Sequence, residues 1–282
     1  MSGTLYVVAT PIGNLEDITL RALRVLREVS VIAAEDTRRT AKLLTHYSIS
    51  TPTLSFHEHN SHRRVPELLE RLQRDQSVAL VSDAGTPVLS DPGLELISAS
   101  IDAAIPIEPV PGPSAPLAAL VASGFPAEPL TILGFAPSRS KDRMQWLAEL
   151  DRRTDTVVFF EVPHRIQLTL NAMASVLGDR PLLVARELTK VHQEFVRGSA
   201  IYLAERPITP RGEFTIVVGP KKQTVQNKDD NVDLAQLASE FRQLTDAGAL
   251  TRRQAISELS RRYGRPSREI YASLEHSKGA LP

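Results

Sequence analysis

Four short segments of the chain combine glycine, proline and polar side chains, and these are the places where chemistry is expected. Each segment follows an apolar run, and ligands of open α/β sheets bind beyond the carboxyl ends of the strands. In any single segment, glycine and proline could equally make only a turn. Together the segments predict one cleft for a small molecule, lined by Thr10–Asn14, Ser82–Asp91, Val110–Ala115 and Glu161–Arg165.

The second segment belongs to Val78–Gly93, whose sequence VALVSDAGTPVLSDPG is the most informative of the chain. Its apolar start and abrupt change to turn residues are typical of a buried parallel strand that ends in a functional loop. Glycine lets the backbone approach a ligand closely, and proline stiffens the loop. The segment contains neither G-x-G-x-x-G nor a P-loop motif, so a phosphate cradle is not indicated.

The fourth segment contains the candidate catalytic residues Glu161, His164 and Arg165. Glu161 follows a strand and could accept a proton from a substrate. Alternatively, it could pair with Arg165 or accept hydrogen bonds from the amides at the start of the next helix. His164 and Arg165 begin that helix, where they could contact a phosphate or the glutamate.

Composition limits the classes of function. The 282 residues are enough for about two domains, and a formal net charge of zero argues against holding nucleic acid by bulk charge alone. The absence of cysteine excludes disulfides and thiolate metal ligands, and His57, His59 and His62 lack a clear carboxylate set, so no metal is predicted. No apolar run has membrane-spanning length, and the N-terminus does not resemble a signal peptide, so a soluble cytoplasmic protein is expected.

Apolar runs alternate with helical patterns, which predicts an α/β fold. The first half contains five predicted strands, and its helices include Thr37–Tyr47. The strands are Leu5–Ala9, Val31–Ala34, Thr53–Phe56, Val78–Val81 and Ile105–Val110.

The second half repeats the alternation, with a helix predicted from Pro163 to Leu177. Only a short helix separates its last two strands, so part of this sheet is expected to be antiparallel. The boundary between the two halves is expected near Gly112–Ser123. The strands are Leu130–Phe135, Val157–Phe160, Leu182–Ala185, His192–Arg197 and Phe214–Val218.

The polar stretch Lys221–Asp233 lacks periodicity and predicts a linker. Beyond it, three short amphipathic helices are predicted at Leu234–Leu244, Arg252–Tyr263 and Ser267–Leu274. The expected organisation is a lobe at 1–115, a second lobe at 116–222, a linker at 223–232 and a helical module at 233–282.

Six motifs resemble one family and follow each other over about residues 4–220. They are ATPIGNLEDITLRAL (9–23), AAEDTR (33–38), VSDAGTPVLSDPG (81–93), PGPSA (111–115), FFEVPHR (159–165) and ARELTK (185–190). They are similar to the ribosomal RNA small-subunit methyltransferase I family of the tetrapyrrole-methylase superfamily, the class III S-adenosylmethionine enzymes. The usual GxGPG motif of tetrapyrrole methylases is replaced by Thr10–Asn14, which favours the rRNA branch.

The resemblance implies two α/β lobes with S-adenosylmethionine between them, usually in a homodimer. It also implies methylation of a cytidine ribose 2′-hydroxyl in 16S rRNA of the small ribosomal subunit. The cofactor-binding residues that it implies, some by looser analogy, are Pro11, Gly13, Asp83, Ala84, Gly85, Thr86, Pro87, Val88, Ser114, Ala115, Phe160, Glu213 and Phe214.

RNA contacts are expected from basic residues in two places. Each place has a simpler alternative. Arg38 and Arg39 could be solvated charges at the start of a helix, and the helices of the module could only pack on the protein body. Phosphate binding needs locally clustered charge rather than arginine content alone. The expected RNA-binding residues are Arg38, Arg39 and Lys190, and in the helical module Arg252, Arg253, Arg261 and Arg262.

Two other functions remain open at this point. A methylase of the same fold could act on a tetrapyrrole or a protein side chain, which the first loop and the arginines of the module oppose. A non-catalytic RNA-binding assembly factor could keep the fold, which the intact Ser82–Asp91 loop opposes.

Overall fold

The computed structural model describes residues 2–89, 91–221, 234–246, 250–263 and 266–278. The chain forms two compact units, Met1–Lys221 and Lys222–Pro282. The predicted linker at 223–232 lies outside the described residues. No helix in the described part of the chain combines the length and apolar character that crossing a membrane requires.

The first unit begins with a five-stranded parallel sheet whose order is β3-β2-β4-β1-β5. The central strands β2 and β4 are buried along their whole length, as expected for a sheet covered by helices on both faces. The strands are β1 (Leu5–Val8), β2 (Val31–Ala34), β3 (Thr53–Ser55), β4 (Val78–Val81) and β5 (Ile107–Val110), and the helices are α1 (Leu20–Glu28), α2 (Thr37–His46), α3 (Ser61–Gln73) and α4 (Leu94–Asp102).

Side-chain caps define where the first two helices begin. The Thr19 hydroxyl accepts a hydrogen bond from the Ala22 amide at 3.1 Å, and the Asp36 carboxylate accepts one from the Arg38 amide at 2.9 Å. Because Asp36 follows β2 directly, its cap places α2 at the carboxyl edge of the sheet.

The second sheet of this unit is mixed, with the order β6-β7-β10-β8-β9. Strands β6 and β7 are parallel, whereas β10 is antiparallel to both of its neighbours and β9 is antiparallel to β8, which confirms the expected antiparallel part. The elements are α5 (Ala115–Ser123), β6 (Leu130–Phe135), α6 (Ser140–Asp151), β7 (Thr156–Glu161), α7 (Ile166–Leu177), β8 (Pro181–Arg186), β9 (Glu194–Ser199), α8 (Ala200–Glu205) and β10 (Phe214–Val218).

Three predicted boundaries are corrected by local hydrogen bonds. Strand β9 starts after His192, because tight turns occupy the preceding residues: the Lys190 amide donates to the Glu187 carbonyl and the Gln193 amide to the Lys190 carbonyl. Strand β5 starts two residues later than predicted, because the Ile105 amide closes the end of α4 on the Ser100 carbonyl at 2.9 Å.

The third corrected boundary is at Pro163, which begins a 3₁₀ turn, Pro163–Arg165, and α7 follows at Ile166. Helix α6 was not predicted from the sequence. That helix buries Arg143, whose guanidinium donates to the carbonyls of Pro137 and Ser138. A buried arginine interrupts the apolar pattern from which helices are predicted.

The second unit contains three helices, α9 (Leu234–Asp246), α10 (Arg252–Tyr263) and α11 (Ser267–Lys278). They surround a small core in which Leu259 and Leu237 are almost fully buried. Ile256 and Tyr263 pack against that core, so the predicted apolar face of α10 is confirmed.

Candidate functional site

A cavity of about 370 Å³ lies where the loops of the first sheet meet the second sheet. Both sheets contribute to its lining, as the sequence analysis expected of its four loops. The residues of the implied cofactor set that line it are Asp83, Ala84, Ala115, Phe160, Glu213 and Phe214; the others, Pro11, Gly13, Gly85, Thr86, Pro87, Val88 and Ser114, lie in the same loops but not in the lining.

Hydrogen bonds fix the loop after β4 to its neighbours. Thr10 and Gly85 exchange backbone hydrogen bonds of 2.9 and 3.0 Å, and the Thr86 hydroxyl donates to the Pro113 carbonyl at 3.3 Å. Gly85 has φ +88° and Val88 has φ +73°, a conformation that is unfavourable for a β-branched residue. The first three predicted loops are therefore one connected structure, with Val88 held in a strained conformation.

Gly13 contacts the second lobe rather than the cavity. A Cβ atom at this position would lie 2.4 Å from Lys190 Cγ and 2.9 Å from the Leu188 carbonyl oxygen. Next to it, the Asn14 amide donates to the Thr189 hydroxyl at 3.0 Å. The glycine thus allows a close approach between the two lobes, and its predicted cofactor contact is not part of this arrangement.

Acidic side chains of the first lobe are linked at the cavity. Glu35 accepts a hydrogen bond from the Asp83 amide at 3.3 Å, and Asp83 accepts one from the Asp36 amide at 2.9 Å. Asp83 also forms an ion pair with Arg39 at 3.2 Å. Burial, followed by the charge of Asp83, raises the pKa of Glu35, although the amide hydrogen bond acts in the opposite direction.

Asp91 is a second lining carboxyl that the sequence analysis did not select. Burial and the charge of Glu35 raise its pKa to about 6, with a smaller contribution from Asp83. Glu35 and Asp91, which were not selected as candidates, both lie in loops that follow parallel strands. Ligands bind at such loops, so this position was the signal by which the two carboxyls could have been found.

The environment of Glu161 is that of the alternative expectation. Its side chain is fully buried and pairs with Arg165 at 2.7 Å. The same carboxylate accepts hydrogen bonds from the Thr169 hydroxyl at 2.5 Å and from the Val162 amide at 2.7 Å. These three donors favour a structural role for the carboxylate, and its role as the proton acceptor stays a prediction. His164 is exposed on the 3₁₀ turn, outside the cavity lining.

The predicted RNA-binding residues of the first unit differ in their partners. Arg38 is 89% exposed and pairs with Asp36 at 2.8 Å, and this arginine lowers the pKa of Asp36 to about 2. Lys190 is partly buried between Glu187 at 2.8 Å and Glu213 at 3.0 Å. Two carboxylates therefore already neutralise the ammonium group of Lys190, and its contact with RNA stays a prediction.

The arginines of the second unit are exposed, and most have acidic partners. Arg261 and Arg262 both bind Glu258, at 2.8 and 3.2 Å, which lowers the pKa of that carboxyl. Arg252 lies 3.6 Å from Glu275, whereas Arg253 forms no ion pair within the described part of this unit. The second unit is consequently less basic than these arginines alone indicate.

Comparison with known proteins identifies the chain. A sequence profile of the Tetrapyrrole (Corrin/Porphyrin) Methylases matches residues 4–204. A Synechocystis protein named ribosomal RNA small subunit methyltransferase I is 44% identical, covering 97% of this chain and 98% of its own length. A Thermotoga maritima protein of the same name is 48% identical, over 78% of this chain and all of its own. The chain belongs to the ribosomal RNA small-subunit methyltransferase I family.

Solved structures of other tetrapyrrole methylases share the fold of this family member. The uroporphyrin-III C-methyltransferase of Thermus thermophilus, in complex with S-adenyl homocysteine, superposes with a TM-score of 0.54 at 18% identity. The match covers 77% of this chain and 97% of that one. Cobalt precorrin-4 methyltransferase gives a TM-score of 0.55 at 17% identity. The two α/β lobes are thus the tetrapyrrole-methylase fold, and the family is one of S-adenosylmethionine-dependent methyltransferases.

Within the described residues of this family member, no three histidine, aspartate or glutamate side chains are grouped closely enough to hold a metal ion. The two imidazoles of His57 and His59 lie 6.0 Å apart, centroid to centroid, at the end of β3.

Proposed function

We propose that this protein transfers the methyl group of S-adenosylmethionine to the ribose 2′-hydroxyl of a cytidine in 16S rRNA. The match along nearly the whole chain to relatives named for small-subunit ribosomal RNA carries the proposal. A cavity in the volume range of small-molecule sites, with carboxylates on one side and aromatic rings on another, supports it.

The cavity residues fit this cofactor. Phe160 and Phe135, whose ring centroids lie 5.3 Å apart, supply an aromatic surface suited to adenine. Asp83 and the neighbouring acidic groups suit a cationic sulfonium. When bound, the cofactor supplies an electrophilic methyl group.

The protein's own contribution is mainly geometric. Methyl transfer to a hydroxyl requires the oxygen, the carbon and the sulfur to lie in line, and holding reactants in that geometry removes much of the entropic barrier. The hydrogen-bonded loops that contain Thr10, Gly85 and Pro113 are suited to this task, because they form one rigid wall.

Exposed arginines are the proposed contacts to RNA phosphates. Arg38 lies at the carboxyl edge of the first sheet and is almost fully exposed. A ribose inside an RNA structure has to leave its stack to reach a cavity, as in other enzymes that modify nucleotides. In the second unit, replacing Arg261 and Arg262 together by alanine is expected to weaken RNA binding and to leave cofactor binding unchanged.

The test is methyl transfer in vitro. Purified protein is incubated with labelled S-adenosylmethionine and small subunits from cells that lack the protein, and the modified nucleotide is mapped by mass spectrometry and resistance to alkali. We expect one 2′-O-methylcytidine in 16S rRNA. Absence of transfer to 30S subunits, to naked 16S rRNA and to their undermethylated forms would overturn the proposal.

The same assay separates the other functions. Transfer to tetrapyrroles or protein side chains, but not to RNA, would indicate a different substrate class, and failure to bind S-adenosylmethionine would indicate a non-catalytic factor. The homodimer that the resemblance implies and the cytoplasmic location expected from the sequence stay predictions. Sedimentation of the purified protein tests the dimer.

A further inference from the structure

A second cavity, of about 620 Å³, lies beside the first. Glu35 and Asp91 line both cavities, so these two carboxyls form a wall that the cavities share. The rest of the lining comes from the loop after β3, which includes His57, and from the start of α4, which includes Leu94. Cavities of this size bind small molecules, and this one is large enough for a nucleoside.

His57 has a hydrogen-bond donor that lacks an acceptor. The backbone orients the Asn60 amide: its Oδ1 accepts from the His57 amide at 2.9 Å, and its Nδ2 donates to the Ser55 carbonyl at 3.1 Å. That Nδ2 also lies 3.1 Å from His57 Nε2, so Nε2 is the acceptor and Nδ1 carries the hydrogen.

The Nδ1 atom of His57 is buried, and none of the described residues is its hydrogen-bond partner. A buried donor without a partner is costly to the fold and is rarely retained without a reason. His57 belongs to the lining of the second cavity, so a ligand that displaces the groups covering Nδ1 could offer it an acceptor. Nucleobases offer such acceptors as carbonyl oxygens and ring nitrogens.

Asp91 is the carboxyl of this region best suited to accept a proton. Burial raises its pKa to about 6, the charge of Glu35 acts in the same direction, and a hydrogen bond from Ser82 opposes them. A base of this strength is ionised at neutral pH and still binds a proton readily. By contrast, Glu35 is held by the Asp83 amide, and Glu161 is occupied by Arg165 and Thr169.

We propose that the second cavity receives the acceptor ribose and its base, and that the Asp91 carboxylate takes the proton of the ribose hydroxyl during methyl transfer. This inference rests on the proposed function. The hydroxyl oxygen forms its bond to the methyl carbon while the carbon–sulfur bond breaks, which leaves a neutral thioether. The hydroxyl proton passes to Asp91, which becomes a neutral carboxylic acid, so atoms and charge balance.

Replacing Asp91 by asparagine tests the proton acceptor, since it keeps the size of the side chain and removes the base. For Asp91→Asn we expect kcat for 30S subunits at saturating S-adenosylmethionine to fall at least about 100-fold, with a change below about twofold in the KM for RNA. Asp102→Asn, at the far end of α4 and outside both cavities, is the matched control.

Two further measurements separate chemistry from folding. Because the pKa of Asp91 is raised in the folded state, its ionised form is unfavourable there, and Asp91→Asn should unfold at the same or a higher temperature at pH 7.5. The kcat of the unchanged protein should rise as the pH increases through about 6. The residual activity of Asp91→Asn should lack this rise.

Other ionisable groups line both cavities around Asp91. The comparison with Asp91→Asn is therefore needed to assign the rise of kcat near pH 6 to Asp91. Glu161 and Glu213 come from the second lobe and have the cationic partners Arg165 and Lys190. The ionisable residues that the first lobe contributes to the two cavities, besides Asp91, are Glu35, Asp83, Arg39, Glu95, His57, Glu58 and His59.

A bulky side chain in the second cavity tests where the acceptor nucleotide binds. Leu94 lines that cavity, whereas Ile101 lies on the same helix, is equally exposed at 63% and lines neither cavity. Leu94→Trp should raise the KM for RNA at least about tenfold and leave the Kd for S-adenosylmethionine unchanged, and Ile101→Trp should change neither.

The outcomes distinguish this inference from the proposed function. If the unchanged protein transfers no methyl group to RNA, the proposed function fails, and the inference fails with it. If the protein does methylate RNA, a kcat for Asp91→Asn within twofold of its own, or an unchanged KM for Leu94→Trp, overturns the inference and leaves the proposed function standing.

Discussion

Two carboxyl groups line the first cavity in very different environments. Glu161, from the second lobe, is fully buried and is bound by Arg165, Thr169 and a backbone amide. Asp91, from the first lobe, has acidic neighbours, and its pKa is raised to about 6. Side chains of similar chemistry therefore do different work at one cavity: the group with a full set of partners stabilises the fold, and the other is available for reaction.

The difference arises from the elements that succeed each residue along the chain. Glu161 ends β7 and precedes a 3₁₀ turn and α7 directly, so that helix brings Arg165 and Thr169 back to the carboxylate. Asp91 ends an irregular loop with two left-handed residues, Gly85 and Val88, before α4 begins. No basic side chain in the described residues forms an ion pair with Asp91.

The largest expected effect comes from breaking the pair on the second lobe. Glu161→Ala leaves the Arg165 guanidinium unpaired in a site where that side chain is only 15% exposed. We expect the free energy of unfolding, measured with urea, to fall by about 3–5 kcal/mol, because an uncompensated buried charge remains. Glu28→Ala, which removes an exposed ion pair with Arg24, should cost less than about 1 kcal/mol.

The distinction between Glu161 and Asp91 would be contradicted if Glu161→Ala were nearly as stable as the unchanged protein and yet lost methyl transfer. That result would return Glu161 to the role of proton acceptor. Loss of stability together with a proportionate loss of activity at fixed temperature supports its structural role.

A smaller effect is expected from the strained loop of the first lobe. Gly85→Ala and Gly124→Ala both place a Cβ at positive φ, +88° and +77°, and should each lower the free energy of unfolding by about 1–2 kcal/mol. At position 85 the new atom would lie 3.3 Å from Ile12 Cγ2, whereas position 124 has open space.

Only Gly85→Ala should weaken the binding of S-adenosylmethionine, by about tenfold as measured by calorimetry, because the strain falls on the cavity loop. Equal cofactor affinity in the two variants would mean that the loop is not a wall of the cofactor site.

The smallest effects on stability are expected from two basic side chains, Lys190 and Arg38. Lys190→Ala removes two ion pairs and should cost about 1–2 kcal/mol of unfolding free energy without changing RNA affinity. Arg38→Ala removes an exposed charge and should leave stability within about 0.5 kcal/mol, while the salt dependence of RNA binding falls by about one unit of slope. Urea unfolding measures the stabilities and filter binding at several salt concentrations measures the slopes, and the reverse pattern would contradict the distinction between the partly buried Lys190 and the exposed Arg38.

Strand ends could be predicted from the sequence because they depend on local patterns. The run Val78–Val81 is apolar and ends in turn residues, and it is a buried strand with the cavity loop after it. The pairing of Glu161 with Arg165 was one of two expectations, and neither the choice between them nor the partners of Lys190 could be predicted, because both depend on which elements pack nearby. Asp91 lies in the predicted loop Ser82–Asp91, but its raised pKa could not be predicted, since it comes from burial and from Glu35 in the loop after another strand.

The close approach at Gly13 has a consequence for motion. The first loop of one lobe lies against the turn at Leu188–Lys190 of the other, and the Asn14 amide bonds to Thr189 across the same contact. Opening the lobes like a hinge would break this contact and expose the surfaces that it buries. The two lobes are therefore expected to keep their spacing while small molecules enter and leave.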